Sequence, residues 1–141
     1  MRAGPRGKRQ LLSRRHPRRP KLLPHRFLPE YDWSLYVDNR LRFLVEPLEI
    51  LASYQAKGDF VCFRHPSRDC TYDEAEVVIR RGYDKEWRVR EQMDQYRKLG
   101  FPAHAGLAAG TMLLRRHGAP AVVALDEEWY DHVLRFSRRD Q

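Results

Sequence analysis

The stretch that decides the fold reads Trp33-Ser34-Leu35-Tyr36-Val37-Asp38. Aromatic and β-branched side chains dominate it, which predicts a short buried strand that ends in a carboxylate. Ligands of open α/β sheets bind outside the carboxyl ends of the strands. Asp38 is therefore a candidate ligand for Mg²⁺ or Mn²⁺ on a diphosphate, since these ions prefer hard oxygen ligands. The alternative is that Asp38 only caps the turn after the strand.

Further strands and helices alternate after this stretch. Two strands are predicted at residues 59 to 63 and 111 to 114. Four helices are predicted at residues 47 to 57, 71 to 82, 84 to 100 and from 120 onwards. Their signals are prolines at first helical positions, a capping-box spacing at residues 71 to 74, and glycines at the ends. The order favours an α/β fold with a short sheet of about three strands and four helices.

Three of these helices carry apolar side chains at helical spacing, and we expect those faces to be buried. The stripes are Leu48, Leu51 and Ala52; Val89, Met93 and Tyr96; and Val122, Leu125, Trp129, Val133 and Phe136.

The net charge of +8 belongs to one end of the chain. Residues 1 to 21 hold nine Lys or Arg and no acidic residue, whereas residues 22 to 141 hold 18 basic and 19 acidic residues. We predict a disordered basic tail over residues 1 to 21 and one domain over residues 22 to 141. The tail has no stacking aromatic ring, which argues against nucleic-acid binding. Binding of nucleic acid or of an anionic surface through the tail is nevertheless one possible function of the chain.

The composition also indicates the cellular compartment of the protein. The longest apolar runs, such as residues 119 to 125, are too short to cross a bilayer, and the basic start lacks the apolar core of a secretory signal. Two cysteines do not make a disulfide framework. We therefore expect a protein of a reducing compartment, the cytoplasm.

Candidate chemistry is concentrated after the second predicted strand. Arg64 or Arg68 could clamp a phosphate or carboxylate, and His65 could bind a metal or act as an acid or base. Glu74 is either the capping-box residue or a catalyst. Cys62 and Cys70 do not have a zinc-site spacing, so zinc is not predicted.

A second group of candidates, Arg115 and His117, follows the third predicted strand. These side chains either contact a substrate or only form an exposed strand end. The sequence has no glycine-rich phosphate loop, no Walker motif and no nucleophile elbow.

Several segments occur together in the order typical of a known family. They are Leu23-Pro24-His25-Arg26-Phe27-Leu28-Pro29-Glu30-Tyr31-Asp32 before the first strand; His65-Pro66, Arg68 and Cys70-Thr71-Tyr72-Asp73-Glu74-Ala75; Gln92, Tyr96 and Gly100-Phe101-Pro102; Gly106-Leu107 and Leu114-Arg115-Arg116-His117; and Trp129 with Ser137-Arg138-Arg139-Asp140-Gln141. From about residue 20 onwards the chain resembles the glycosyltransferase-like domain family formerly called domain of unknown function 616. Plant mucilage and turgor-regulation proteins and bacterial glycosyltransferase-domain proteins share this domain.

The resemblance implies a metal-dependent GT-A-like α/β domain that transfers sugar from a nucleotide-diphosphate sugar to a hydroxyl of a glycan or polysaccharide. It implies that Asp38 holds Mn²⁺ or Mg²⁺. It also implies that Asp140 and Gln141 lie near the transferred sugar and that Arg115 and Arg139 contact the diphosphate or acceptor. For such a reaction we further expect Arg68 and His117 to contact substrate, and His65 or Glu74 to act as the acceptor base.

The sequence departs from the family pattern at two points. Asp38-Asn39-Arg40 stands where a two-carboxylate Asp-x-Asp motif is common. The second metal ligand is then Asn39, comes from another segment or is absent, and Arg40 is a candidate to replace part of the metal's charge. The family's domain also begins with further strands and continues past the Asp-Gln pair, so the domain looks partial. The second alternative function is therefore a catalytically inactive fragment or binding remnant.

Overall fold

The computed structural model describes residues 18 to 139. Most of the predicted tail, together with Asp140 and Gln141, lies outside the described residues. Within them, the chain has an α/β fold with one three-stranded sheet and five α-helices, which confirms the predicted class.

All three predicted strands are present. They are β1 (Ser34–Val37), β2 (Phe60–Arg64) and β3 (Ala108–Arg115). The sheet order is β1-β3-β2, and both outer strands run antiparallel to β3. β3 lies at the centre and extends beyond its predicted limits. β1 is half-buried rather than buried, because it pairs on one side only.

The strand register positions the site residues. Ser34 pairs with Arg115 and Tyr36 with Leu113, so Ser34, Tyr36 and Arg115 lie on one face of the sheet. The Asp38 amide continues the ladder by donating to the Thr111 carbonyl at 2.9 Å. Because β3 runs against β1, Asp38 and Arg115 stand at opposite ends of this face.

The helices are α1 (Arg19–Leu22), α2 (Pro47–Tyr54), α3 (Thr71–Arg80), α4 (Glu86–Lys98) and α5 (Pro120–Arg135). Two 3₁₀ turns, Pro24–Arg26 and Gln55–Lys57, follow α1 and α2. The four predicted helices are confirmed, and the one-turn helix α1 is additional. Leu22 and Leu23 have no exposed surface and pack with Tyr130 and Val133 of α5, so the described domain begins before residue 22. No helix within residues 18 to 139 is long and apolar enough to span a bilayer.

Two predicted details of the helices are wrong. Thr71 is the first residue of α3, which has no side-chain cap, so the capping box does not form. The side chain of Glu74 binds Arg68 instead. The predicted apolar face of α2 is not buried either: Leu48 is 76% exposed and no residue of α2 is buried.

The buried stripes of α4 and α5 differ in how well they were predicted. Val89 and Met93 of α4 pack on Ala75 and Val78 of α3, as expected. On α5, Leu125 is exposed, and the buried residues are Val122, Asp126, Tyr130 and Val133. The stripe is therefore rotated by one position, and it contains a carboxylate.

Candidate functional site

A cleft of about 710 Å³ lies along β1. Its lining includes five cationic side chains and one carboxylate: Arg18, Lys21, Arg40, Arg115, Arg139 and Asp38. The cleft therefore brings together three predicted site residues, Asp38, Arg115 and Arg139. We call it the cationic cleft.

Asp38 forms part of a small polar network in the cleft. Its Oδ1 accepts a hydrogen bond from the Tyr36 hydroxyl at 2.6 Å and lies 4.0 Å from Lys21 Nζ. The Lys21 ammonium also lies 4.6 Å from the centre of the Tyr36 ring. Helix α1 thus places a cation directly against the carboxylate at the end of β1.

Arg115 forms a buried ion pair at the other end of the cleft. Its Nη1 donates to Asp126 Oδ1 at 2.7 Å, and its Nη2 donates to the Lys21 carbonyl. The two charged side chains are at most 1% exposed. Burial raises the pKa of Asp126 and lowers the pKa of Arg115, since both charged forms lose hydration. The pair ties β3 to both α1 and α5.

Asp84 holds Arg139 at the cleft through the backbone that precedes it. Asp84 Oδ2 accepts hydrogen bonds from the Ser137 hydroxyl and from the Arg138 amide, both at 2.8 Å. Its Oδ1 accepts from the Lys85 amide just before α4. The Arg139 guanidinium lies 5.0 Å from the centre of the Tyr83 ring. The final described segment is thus fastened to the start of α4.

Several buried polar atoms around the cleft have no hydrogen-bond partner among the described residues. They are Arg18 Nη1, Ser34 Oγ and Arg115 Nε. Such atoms cost free energy when they stay unpaired, so the walls of the cleft contain polar groups that the described residues do not satisfy.

The other predicted active-site residues form a second cluster. Arg68 Nε donates to the buried Glu74, and Arg68 Nη2 lies 3.2 Å from His65 Nε2. His65 and Arg68 line a separate concavity of about 280 Å³ with Asp69 and Gly106. Glu74 faces a small cavity that Arg139 also lines. The structure therefore brings His65, Arg68 and Glu74 together, but not into the cationic cleft.

Both ring nitrogens of His65 face hydrogen-bond donors. Nδ1 accepts from the amides of Ser67 and Arg68 at 3.2 and 3.1 Å, and Nε2 lies 3.2 Å from Arg68 Nη2. The turn that follows β2 thus holds the His65 ring in place.

His117 lies elsewhere. It is 1% exposed, and its Nε2 is 2.9 Å from the Leu28 carbonyl oxygen. The cationic cleft does not include it, so its visible contact is with the loop that follows α1.

Lys21 and Asp126 are functional candidates that the sequence analysis missed. Lys21 was assigned to the basic tail. Asp126 falls between the apolar residues Val122 and Tyr130 at a spacing of four, and a lone carboxylate on such a face is the signal that could have revealed a buried partner.

Comparison with known proteins indicates the same family that the sequence resembles. Residues 11–141 match the TOD1/MUCI70, glycosyltransferase-like domain family. The chain belongs to this family. It is also similar to the Arabidopsis thaliana protein named probable hexosyltransferase MUCI70, with 30% identity over 139 residues. The alignment covers 92% of this chain and 24% of that relative, so the chain spans about a quarter of the relative's length. No solved structure matches the chain.

Proposed function

We propose that the cationic cleft binds the diphosphate of a nucleotide-diphosphate sugar, and that the chain supplies part of a site that transfers the sugar to a glycan or polysaccharide hydroxyl. The observation that carries the proposal is the charge of the cleft: five cations surround one carboxylate. Family membership and similarity to a protein named as a probable hexosyltransferase support sugar transfer as the chemistry.

The cations divide into a floor and a rim. Arg115 is fully buried, with its orientation fixed by Asp126, and forms the floor. Arg40, which is exposed, and Arg139 approach from the rim. Arginine binds phosphate oxygens through two parallel N–H groups. As the sugar departs, negative charge grows on the diphosphate, and fixed cations stabilise that charge in the transition state.

The described residues fit a divalent ion poorly. The cleft offers one carboxylate, and one of its oxygens already contacts Tyr36 and Lys21. Mg²⁺ is commonly held by one or two carboxylates together with substrate phosphates, in a site that is not dominated by cations. We therefore derive no step through a metal and assign charge compensation to Arg40 and Arg139, whereas Arg115 lies beneath them with its charge paired to Asp126. Binding of Mn²⁺ or Mg²⁺ at Asp38 stays a prediction.

The acceptor base also stays a prediction. Both ring nitrogens of His65 already lie against donors of Ser67 and Arg68, whereas Glu74 faces the cavity that Arg139 lines. Glu74 is thus the better placed of the two, provided that Arg68 releases it. The roles of Asp140 and Gln141, which lie outside the described residues, stay predictions.

Donor binding tests the proposal. The full chain is titrated with UDP, GDP and their hexose conjugates, with and without Mn²⁺, while the melting temperature is followed. Ligand at 100 times its Kd stabilises the fold by about 2.7 kcal/mol, which corresponds to a rise of several degrees. Arg40→Ala should weaken binding, whereas Arg42→Ala, a neighbouring exposed arginine outside the cleft, should not. Absence of a shift with every nucleotide would sink the proposal.

A second candidate function, binding without catalysis, is favoured by the contact between Lys21 and Asp38. A carboxylate neutralised by a lysine is poorly suited to chemistry but compatible with ligand binding. If a nucleotide sugar raises the melting temperature, an acceptor glycan distinguishes the two functions. Release of nucleotide diphosphate in its presence indicates sugar transfer, and binding without release indicates a binding domain that has no catalytic activity.

A further inference from the structure

A group of potential metal ligands lies where α3 begins, outside the cationic cleft. Cys70 is the residue before α3, Asp73 is in its first turn, and His104 comes from the loop that leads into β3. One ligand atom from each residue lies within 4.8 Å of the others. No local spacing in the sequence indicates this group, because His104 lies 34 positions after Cys70.

We propose that Cys70, Asp73 and His104 form a binding site for Zn²⁺ or a similar borderline-soft ion, with the fourth position open to water. The ligand set of thiolate, imidazole and carboxylate is typical of zinc rather than of Mg²⁺ or Mn²⁺. Ligand atoms around tetrahedral zinc are about 3.5 Å apart, so small side-chain rotations would close the site.

Backbone amides surround the sulfur of Cys70. The amides of His104, Asp73 and Tyr72 all donate towards it, so the loop before β3 and the first turn of α3 meet at this sulfur. Cys70 is 2% exposed, whereas Asp73 and His104 are exposed, so an ion could enter from the surface and reach the sulfur.

His104 is held in a suitable orientation. Its Nδ1 lies 2.9 Å from Asp69 Oδ1, which leaves Nε2 for a metal. Metal-binding histidines commonly donate their other ring nitrogen to a carboxylate in this way. His104 also has a φ of 55°, an uncommon value for a residue other than glycine, and the Gly106 amide donates to the Asp69 carbonyl at 2.8 Å. The loop is therefore fastened to the start of α3 before any ion binds.

Bound Zn²⁺ would be a clamp between this loop and α3. The same loop leads through Leu107 into β3, and Leu107 lines the cavity that Glu74 and Arg139 share. The metal site is thus connected through Leu107 to the small cavity at Glu74 and Arg139, and it is separate from the cationic cleft.

Cobalt spectroscopy tests the site. The full chain, purified without a histidine tag and treated with chelator, is titrated with Co²⁺ and then with Zn²⁺. We expect one equivalent of Co²⁺ to give a thiolate-to-cobalt charge-transfer band that Zn²⁺ abolishes. Cys70→Ser should lose the band, whereas Cys62→Ser should keep it, because Cys62 is a half-buried thiol on β2 outside the group.

Two further variants keep the test decisive if Cys70→Ser does not fold. His104→Asn changes an exposed residue and should also abolish the band. Asp69→Asn should raise the Zn²⁺ Kd by about 10- to 100-fold while the band is retained at saturation. Asp38→Asn should leave Zn²⁺ binding unchanged, which separates this site from the cationic cleft. Absence of a band in the unmodified chain, or an equal band in His104→Asn, would overturn the proposal.

Discussion

The buried pair of Arg115 and Asp126 allows the sharpest prediction about the fold. Asp126→Ala removes the carboxylate and leaves the Arg115 guanidinium without its charged partner. Asp59→Ala is a matched control, because Asp59 binds both Nε and Nη2 of Arg116, the next residue, at 2.8 Å. The two ion pairs differ chiefly in exposure: side chains of the first are at most 1% exposed, and those of the second are 52% and 43% exposed.

The expected magnitudes follow from that difference. Loss of one partner from a buried pair costs about 3–5 kcal/mol, since a desolvated charge is left uncompensated. An exposed pair is hydrated and screened, so its loss has a much smaller effect. A domain of this size is stable by about 5–15 kcal/mol, and Asp126→Ala should therefore remove a large share of the total.

Urea unfolding followed by tryptophan fluorescence measures both variants. Asp126→Ala should lower the midpoint strongly at an unchanged slope, and Asp59→Ala only slightly. The double variant Arg115→Met with Asp126→Leu should recover most of the loss, because an apolar pair needs no charge compensation. Equal midpoints for the two single variants, or a double variant as unstable as Asp126→Ala, would show that the buried charge of Arg115 does not depend on Asp126.

Three further predictions concern α1, the C-terminal segment and the cleft. Leu22→Ala should destabilise the domain by about 2–5 kcal/mol, because Leu22 is fully buried. The control Leu44→Ala, at a 92% exposed position, should cost less than about 0.5 kcal/mol. Equal melting temperatures for the two variants would place α1 outside the fold. Burial alone would raise the pKa of Asp84, but hydrogen bonds from the amide of Lys85, the Ser137 hydroxyl and the amide of Arg138 hold it below its ordinary 3.8. The contribution of Asp84 to stability is therefore complete above pH 3.8 and is lost as the pH falls through the lower pKa of the folded state. The amide NMR signals of Ser137 and Arg138 should shift in that pH range. Asp84→Asn should abolish these pH-dependent shifts. The Kd of the donor should rise with salt concentration, because salt screens the attraction between cations and phosphate in an open cleft. A Kd that does not depend on salt would argue against binding by the exposed arginines.

The sequence predicted the strands and the four longer helices because their signals are local. Alternating β-branched and aromatic residues, prolines at helix starts and glycines at helix ends act over a few residues. The antiparallel arrangement was not predictable in the same way. It depends on β3 pairing with both outer strands, and no local feature of residues 108 to 115 fixes that choice.

The site could be predicted only where the resemblance supplied distant partners. Asp38, Arg115 and Arg139 are far apart in sequence, and all three line the cationic cleft. Lys21 was missed because a lysine next to a run of arginines has the appearance of a solvated tail. Asp126 was missed because helical periodicity allowed a stripe one position away, and only the buried guanidinium of Arg115 explains a carboxylate on that face.

The most direct test of the account is to locate bound nucleotide diphosphate on the chain by amide chemical-shift mapping. The account predicts that UDP or GDP shifts the signals of Lys21, Tyr36, Asp38 and Arg139, which surround the cationic cleft. Signals of the cluster around His65 and Arg68 should move little. Shifts confined to that second cluster, or no localised shifts at saturating nucleotide, would contradict the claim that the cationic cleft is the donor site.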